Sequence, residues 1–398
     1  MTLLREAAPV HTQTAERLFL AGDPGLAAHR AAYGDLPGSG GVLRAIADSG
    51  LTGRGGGGFP TTRKIEAVQG TRRPVVVANG SEGEPASRKD ATLLAHAPHL
   101  ILDGLEILGD ALGAELHLVT TGAQINPIRQ RITERASSIK VTEVVDRFIA
   151  GEESSVVAAI NGRLPLPADR STRVWQRGVD GRPTVVLNVE TLAHIALIAR
   201  NGASWFRGIG DADDPGTFLA TVSPTLGSTD RTPVVFELAR GTHLGSFLRD
   251  TGFAGSRAVL VGGFHGTWVT GDALVTARLS RPGLAAAGAT PGAGVLIPLE
   301  HQCGLRETSR ILSYLAAEVA GQCGPCVNGL PALAQHFRSL AGGRATEATL
   351  QELGRLSGLV RGRGACSHPD GTVRLAASAL NAFSDDVVHH LRGGCGVL

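Results

Sequence analysis

Apolar and polar positions change period repeatedly along this chain, and the changes predict alternating element types. Pro74-Val75-Val76-Val77-Ala78 is a short unbroken apolar run rich in β-branched residues, the pattern of a buried strand. It gives way to the polar turn Asn79-Gly80-Ser81-Glu82-Gly83-Glu84-Pro85. The spacing then predicts a helix over His99 to Leu112, a strand over Glu115 to Thr120, a helix over Ile125 to Ala136 and a strand over Lys140 to Val144. Strand-like character continues through Val145 to Ile149, and Ser155 to Ile160 reads as helical. Asn161 to Gly181 reads as irregular, with Pro165 and Pro167 interrupting any ladder. Thr184 to Thr191 leads into a helix that ends near Asn201-Gly202. Strands alternating with helices point to an α/β fold with a parallel sheet and helical crossovers. Residues 1 to 50 read as mostly helical, broken at Gly22-Asp23-Pro24-Gly25 and at Gly34 to Gly38.

The pattern shifts near residue 215. Phe218 to Ser223, Val234 to Glu237 and Ala258 to Val261 read as short strands between glycine turns, with one helix near Leu244 to Asp250. Helical periodicity returns over Leu305 to Ala320, Leu330 to Leu340, Glu347 to Val360 and Gly371 to Leu391. The expected division is an N-terminal α/β domain (1–215), a small mixed β domain (216–297) and a terminal helical bundle (298–398).

One stretch fits neither period. Gly53-Arg54-Gly55-Gly56-Gly57-Gly58-Phe59-Pro60, followed by Lys64, cannot be a helix or strand interior, since each glycine gives up the most backbone entropy. It permits bare backbone to approach something large. Successive N–H groups in such a loop form an anion-binding concavity, Arg54 and Lys64 add positive charge, and Phe59 offers a flat face. A nucleotide or flavin fits that combination. The run lacks a Gly-Lys-Ser/Thr ending and follows no clear strand, so it matches neither standard nucleotide motif.

Composition narrows the function. Lys+Arg 38 against Asp+Glu 36 gives a net charge of +2, which makes no electrostatic case for nucleic acid. No run reaches the ~18 apolar residues of a membrane span, and Met1 to Glu6 lack the pattern of a signal peptide, so a cytoplasmic protein is expected. All 5 cysteines lie at or beyond Cys303. Cys323-Gly324-Pro325-Cys326 sits between two helical segments, and Cys366 arrives 40 positions later, at the far end of a helical hairpin that returns the chain. The spacing leaves iron–sulfur ligation, buried thiols and a redox pair open. Cys303 is expected at the opposite end of a full helix from Cys323, and Cys395 lies in a Gly-Gly-Cys-Gly tail expected to be mobile; either could donate a replacement ligand, but the sequence does not place it near the other three. For His389-His390, adjacent residues on a helix do not converge on one metal, and an ordinary surface or helix-end role is expected.

Taken together the motifs resemble the flavoprotein subunit of respiratory complex I and of related NAD-linked hydrogenases and formate dehydrogenases. The resemblance rests on the glycine loop with Lys64, the acidic segment Asn79 to Pro85 with Lys89-Asp90, Gly151-Glu152-Glu153-Ser154, and Asn188-Val189-Glu190-Thr191. It implies an FMN-binding parallel-sheet domain, a ubiquitin-like β-grasp domain and a helical bundle with one [4Fe-4S] cluster. By resemblance, FMN rests on the backbone of Gly53, Arg54, Gly55, Gly56, Gly57 and Gly58 beside Phe59. Lys64, Asn79, Ser81, Gly151 and the Asn188 region would complete that binding site. Glu82, Glu84, Glu152 and Glu153 would lie near flavin and nicotinamide, with Glu82, Glu84 and Glu153 positioning the reacting rings. The implied activity is hydride transfer from NAD(P)H or another donor to FMN, with electrons then leaving singly through the cluster. The implied partner is a ferredoxin-like or thioredoxin-like iron–sulfur subunit within a larger complex.

The chain departs from the family pattern at several positions. Cys323, Cys326 and Cys366 match three cluster ligands, but Ala320 stands at the fourth, so a [3Fe-4S] centre or no centre are alternatives to [4Fe-4S]. Ser81 replaces an aspartate, and Ile65, Ala67 and Leu166 stand where the family carries aromatic rings. Two further readings follow: a flavoprotein without NADH use or cluster, and a non-catalytic scaffold or binding subunit.

Overall fold

Burying Val75, Val76 and Val77 on both faces requires helices above and below them, and the computed structural model supplies both layers. It describes residues 7–12, 16–169, 171–226, 228 and 231–397; the expectation for Met1 to Glu6 lies outside them. After a short N-terminal strand β1 (Val10–Thr12), the strands β2 (Val75–Gly80), β3 (Glu115–Thr121), β4 (Lys140–Val144) and β5 (Thr184–Asn188) form one sheet in the order β4-β3-β2-β5. Every pairing in it is parallel. The helices Pro98–Leu112 and Val189–Arg207 pack against each other, so closely that a Cβ on Gly104 would meet the Leu192 carbonyl oxygen at 1.9 Å. No larger residue fits there, so Gly104 sets how tightly that layer closes.

A small antiparallel pair, β6 (Gly210–Asp211) and β7 (Asp214–Pro215), leads into the second sheet. That sheet contains β8 (Thr217–Val222), β9 (Val234–Ala239), β10 (Ala258–Val261), β11 (Thr267–Thr270) and β12 (Val295–Leu299), in the order β1-β9-β8-β12-β10-β11. Two antiparallel hairpins, β8–β9 and β10–β11, flank β12, which runs parallel to β8. With the helix Leu244–Asp250 between the hairpins, this is the expected ubiquitin-like β-grasp arrangement. Helices Gly304–Ala317, Leu330–Ala341, Glu347–Val360, His368–Ala382 and Ser384–Leu391 complete the chain around Leu312, Leu333, Phe337 and Leu375.

Several expectations need correction. The first 50 residues are not mostly helical: Val10–Thr12 pairs in parallel with Val235–Glu237, a tertiary contact that three residues cannot announce. Val145 to Ile149 does not continue β4; the chain turns and forms a single 3-10 turn, Phe148–Gly151. A separate helix, Lys89–His96, precedes Pro98. The run Gly371 to Leu391 holds two helices, broken at Phe383, whose ring packs 5.2 Å from that of Trp268.

Candidate functional site

β3 and β4 lie on one side of β2, and β5 lies on the other. The crossovers therefore leave in opposite directions and open a crevice beyond the strand ends between β2 and β5, where α/β sheets receive ligands. Asn79 and Asn188, opposed in the β2–β5 register, stand at its floor. The glycine loop folds over it, closed by the Gly53 N–H donating to the Phe59 carbonyl at 2.8 Å. The Arg54 N–H donates to Thr191 Oγ1 at 2.9 Å and anchors the loop to the helix Val189–Arg207.

The resulting cavity has a volume of about 280 Å³. Gly55, Gly57, Gly58 and Phe59 line it from the loop, Thr61 and Lys64 from the next helix, and Asn79, Gly151, Glu152, Glu153 and Asn188 from below. It fits a flat ligand bearing an anionic tail, because the loop backbone is bare where the cavity opens. A Cβ on Gly57 would meet nothing within 4 Å, whereas one on Gly58, at φ +55°, would strike the Arg281 guanidinium at 1.8 Å. Thr61 Oγ1 is buried at the cavity wall without a hydrogen-bond partner among the described residues. Buried hydroxyls without partners are rare, and a bound polar ligand would satisfy this one.

Beneath the cavity lies a buried charge network. Lys89 Nζ is 2.6 Å from Asp90 Oδ1, 3.0 Å from Glu190 Oε2 and 3.1 Å from Asn188 Oδ1. Burial opposes the charge on Lys89, but Asp90 and Glu190 outweigh it and hold the amine above its ordinary value. Asp90 is pushed up to about 6, by burial first and by Glu82 and Glu190 beyond it. Glu190 falls to about 2: burial opposes its ionisation, and Lys89 reverses the balance. Asn188 Nδ2 donates to Asp90 Oδ2 at 2.8 Å, so the network fixes which face of this amide meets the cavity.

The expected site residues divide by position. Lys64 Nζ donates to Glu153 Oε2 at 2.8 Å on the cavity wall. Asn79 Nδ2 donates to the Gly151 carbonyl at 2.9 Å, and Asn79 Oδ1 accepts from Ser81 Oγ at 2.6 Å. Glu152 caps the helix Glu153–Ile160, accepting from the N–H groups of Ser154 and Ser155. Glu82 is likewise occupied, accepting from the N–H groups of Asp90 and Ala91 at 2.9 and 3.1 Å. Glu84 accepts from the Phe264 N–H at 2.9 Å and joins the β-grasp sheet to the site.

Arg54 does not add charge to the cavity. Its guanidinium turns inward to the carbonyls of Thr52 and Pro215 and is buried, so only its backbone serves the loop. Ile65 is buried in the α/β core, which removes that position as a stacking face. Lys89, Asp90 and Glu190 are legible as motif residues, but their shared network is not; its signal is three charges flanking predicted strand ends.

A second cavity, of about 520 Å³, shares Gly55, Gly57 and Gly151 with the first and reaches Phe148, His265, Ser367 and Gly371. The rings of Phe148, His265 and His368 pack together there, with centroids 4.7 to 5.4 Å apart. Cys366 lies two positions before His368. Cys326 falls within a single π-turn, Pro325–Gly329, a local distortion frequent at functional sites. Burial first, then the neighbouring Cys323 and Cys366, push the Cys326 thiol up to about 11. Cys323 lies below its ordinary value, since the N–H groups of Ala365 and Cys326 outweigh burial. Cys326 thus lies beside Cys323 and within electrostatic reach of Cys366, and Ala320 offers only its backbone N–H, toward Cys326. Three donors fit an iron–sulfur centre, and the fourth position carries no ligand atom.

Two family models match these regions. The Nuo51 FMN-binding domain matches residues 46–197, and the NADH-ubiquinone oxidoreductase-F iron-sulfur binding region matches residues 306–390. An NADH-quinone oxidoreductase subunit of Rhizobium meliloti is 28% identical over 379 residues, covering 88% of each chain. The corresponding NADH-quinone oxidoreductase subunit of Streptomyces coelicolor is 29% identical over 380 residues, covering 89% of this chain and 84% of that one. In fold, the chain resembles one from the NAD+-reducing [NiFe]-hydrogenase in its air-oxidised state: the TM-score is 0.83 at 24% identity, covering 97% of this chain and 68% of that one. Both regions occur in this order on a chain that aligns over most of its length with NADH-quinone oxidoreductase F subunits, and it is to these subunits that the chain is similar in both sequence and order of regions.

Proposed function

We propose that the chain is an FMN-dependent electron-transfer oxidoreductase that takes electrons from NAD(P)H or a comparable donor and passes them to a protein partner. The observation that carries this reading is the crevice between β2 and β5, walled by bare glycine backbone and floored by Asn79 and Asn188. Bound there, FMN supplies the exchange of an electron pair for single electrons. The N–H groups of the loop and Thr61 Oγ1 would hold its polar groups, and Asn188, oriented by Lys89 and Asp90, would contact its ring. Glu153, paired with Lys64, would position the donor at the cavity mouth, while Phe59 offers a half-exposed ring. Glu82 and Glu84 would shape the site through the backbone they bind rather than by touching the ligand. Cys323, Cys326 and Cys366 would hold an iron–sulfur centre, and the partner would be a redox protein docking near them. A cytoplasmic location and membership of a larger complex accompany this reading.

The test is an anaerobic absorbance spectrum of purified chain before and after adding NADH, with identification of released flavin and assays of iron and sulfide. FMN with iron, bleached by NADH, is the expected outcome. A chain that neither contains nor takes up FMN overturns the proposal. Ala320 favours one second reading, a flavoprotein without the cluster, which FMN without iron after anaerobic reconstitution would support.

A further inference from the structure

The terminal bundle holds a second group of metal-ligating side chains that the flavin and iron–sulfur reading does not use. Cys303 caps the start of the helix Gly304–Ala317, His390 lies in the last turn of Ser384–Leu391, and Cys395 follows in the tail. The tail expected to be mobile is thus folded against the bundle, and His390, expected to have an ordinary helix-end role, is buried beside Cys303. Cys303 Sγ lies 3.4 Å from His390 Nε2, across 87 positions of sequence. One donor atom from each of the three residues falls within 4.8 Å of the others.

Sulfur and nitrogen ligands on a tetrahedral zinc stand about 3.5 Å apart, given bonds of about 2.3 and 2.0 Å. The Cys303–His390 separation already matches that value. Behind the imidazole, Nδ1 lies 3.1 Å from the Leu340 carbonyl oxygen. A carbonyl only accepts, so Nδ1 carries the proton and Nε2 turns a lone pair toward the sulfurs. That tautomer, fixed by a backbone carbonyl, is the arrangement of metal-bound histidines.

We propose that Cys303, His390 and Cys395 form a binding site for one zinc-class divalent ion. The site is distinct from the Cys323, Cys326 and Cys366 set, because the 14-residue helix Gly304–Ala317 separates them by about 21 Å. Binding releases one proton from each thiol. Two thiolates and a neutral imidazole then leave the doubly charged ion neutral overall, which suits a buried location. Cys395 is half-buried, so the ion enters from the tail side and keeps a fourth position for water. A Cys303–Cys395 disulfide is the competing chemistry. It would leave buried His390 Nε2 without the thiol partner it has now, whereas the ion satisfies it. The site pins the tail to the start of the bundle and couples its stability to metal supply.

The test uses full-length chain carrying C323S, C326S and C366S, so that iron–sulfur ligation cannot contribute. Stripped with chelator and titrated anaerobically with Co2+, it is expected to show thiolate-to-cobalt charge transfer and tetrahedral d–d bands at equimolar metal, both displaced by Zn2+. Adding C395S is expected to weaken binding at least tenfold with an unchanged far-ultraviolet circular dichroism spectrum. If the triple background does not fold, the same titration of the otherwise unaltered chain with and without C395S decides the matter. Absence of the cobalt bands, bands indifferent to C395S, or a Cys303–Cys395 disulfide in chain purified under reducing conditions would overturn the proposal.

Discussion

The crevice under the glycine loop and the thiol end of the bundle are built on opposite principles. In the crevice the side chains are fixed before any ligand arrives: Asn188 by Asp90 and Lys89, Asn79 by Gly151 and Ser81, Glu153 by Lys64. At the thiol end, three sulfurs come together by backbone placement, and a methyl group stands where a fourth donor would belong. The first site is pre-organised and depends on many weak polar contacts. The second, as proposed, would depend on a few strong bonds supplied from outside. Changes in the crevice should therefore act on affinity and stability, and changes at the thiol end on occupancy.

The largest expected effect on ligand affinity is at Gly57. Its missing Cβ faces open cavity, so Gly57→Glu should fold while placing a carboxylate where the proposed ligand would lie. Flavin affinity should fall on the order of a hundredfold or more, roughly 3 kcal/mol. Equilibrium dialysis with FMN reads it, and undiminished affinity would remove the ligand from this loop. The largest expected effect on stability is that of Lys89→Met, which strands Asp90 and Glu190 without their buried cation. A loss of about 3–5 kcal/mol in denaturant unfolding is expected; a loss under about 1 kcal/mol would show that the network is not the fixed base claimed for the crevice.

At the other site Ala320→Cys should raise iron and sulfide content after anaerobic reconstitution and slow loss of the centre in air, with the crevice unaffected. Unchanged iron content and an unchanged magnetic resonance spectrum would place residue 320 outside ligand range. The smallest effect comes from Glu237, whose buried carboxyl is pushed up to about 7 by burial. Its folded value exceeds the usual 4.5, so the folded chain retains a proton that the unfolded chain has lost between those two pH values. The stability linked to that proton is present at the acid end and lost as pH rises through about 7, by no more than a few kcal/mol. Glu237→Gln should flatten thermal stability between about pH 5 and 8. A pH dependence identical to that of the unaltered chain would refute the assignment.

How far the sequence discloses each site follows from how local its construction is. The glycine loop, the valine run of β2 and the helix Leu244–Asp250 are short-range patterns, and each is legible in place. Cys323 and Cys326 advertise themselves by spacing within one turn. Glu82 looks like a ligand-side acid because its segment names no partner; the structure shows it accepting two N–H groups of the following helix. Arg54 misleads similarly, since a cation beside a glycine loop says nothing of which way it turns. Cys303, His390 and Cys395 carry no signal at all, because only the packing of the last helix brings them together.

The strand Val10–Thr12 carries one more consequence. It lies along β9, whose residues follow more than two hundred positions later, and the N–H groups of Arg17 and Leu18 are received by Glu237 of that same strand. During synthesis this strand thus has no partner until residues more than two hundred positions further along the chain have been made. Closing so long a loop adds little to the equilibrium cost, because that cost grows only with the logarithm of length. It delays the event nonetheless, so docking of the first strand belongs late in folding. Until then β9 exposes an open ladder to any passing chain; once docked, the N-terminal segment is the selvedge that keeps the sheet from adding strands.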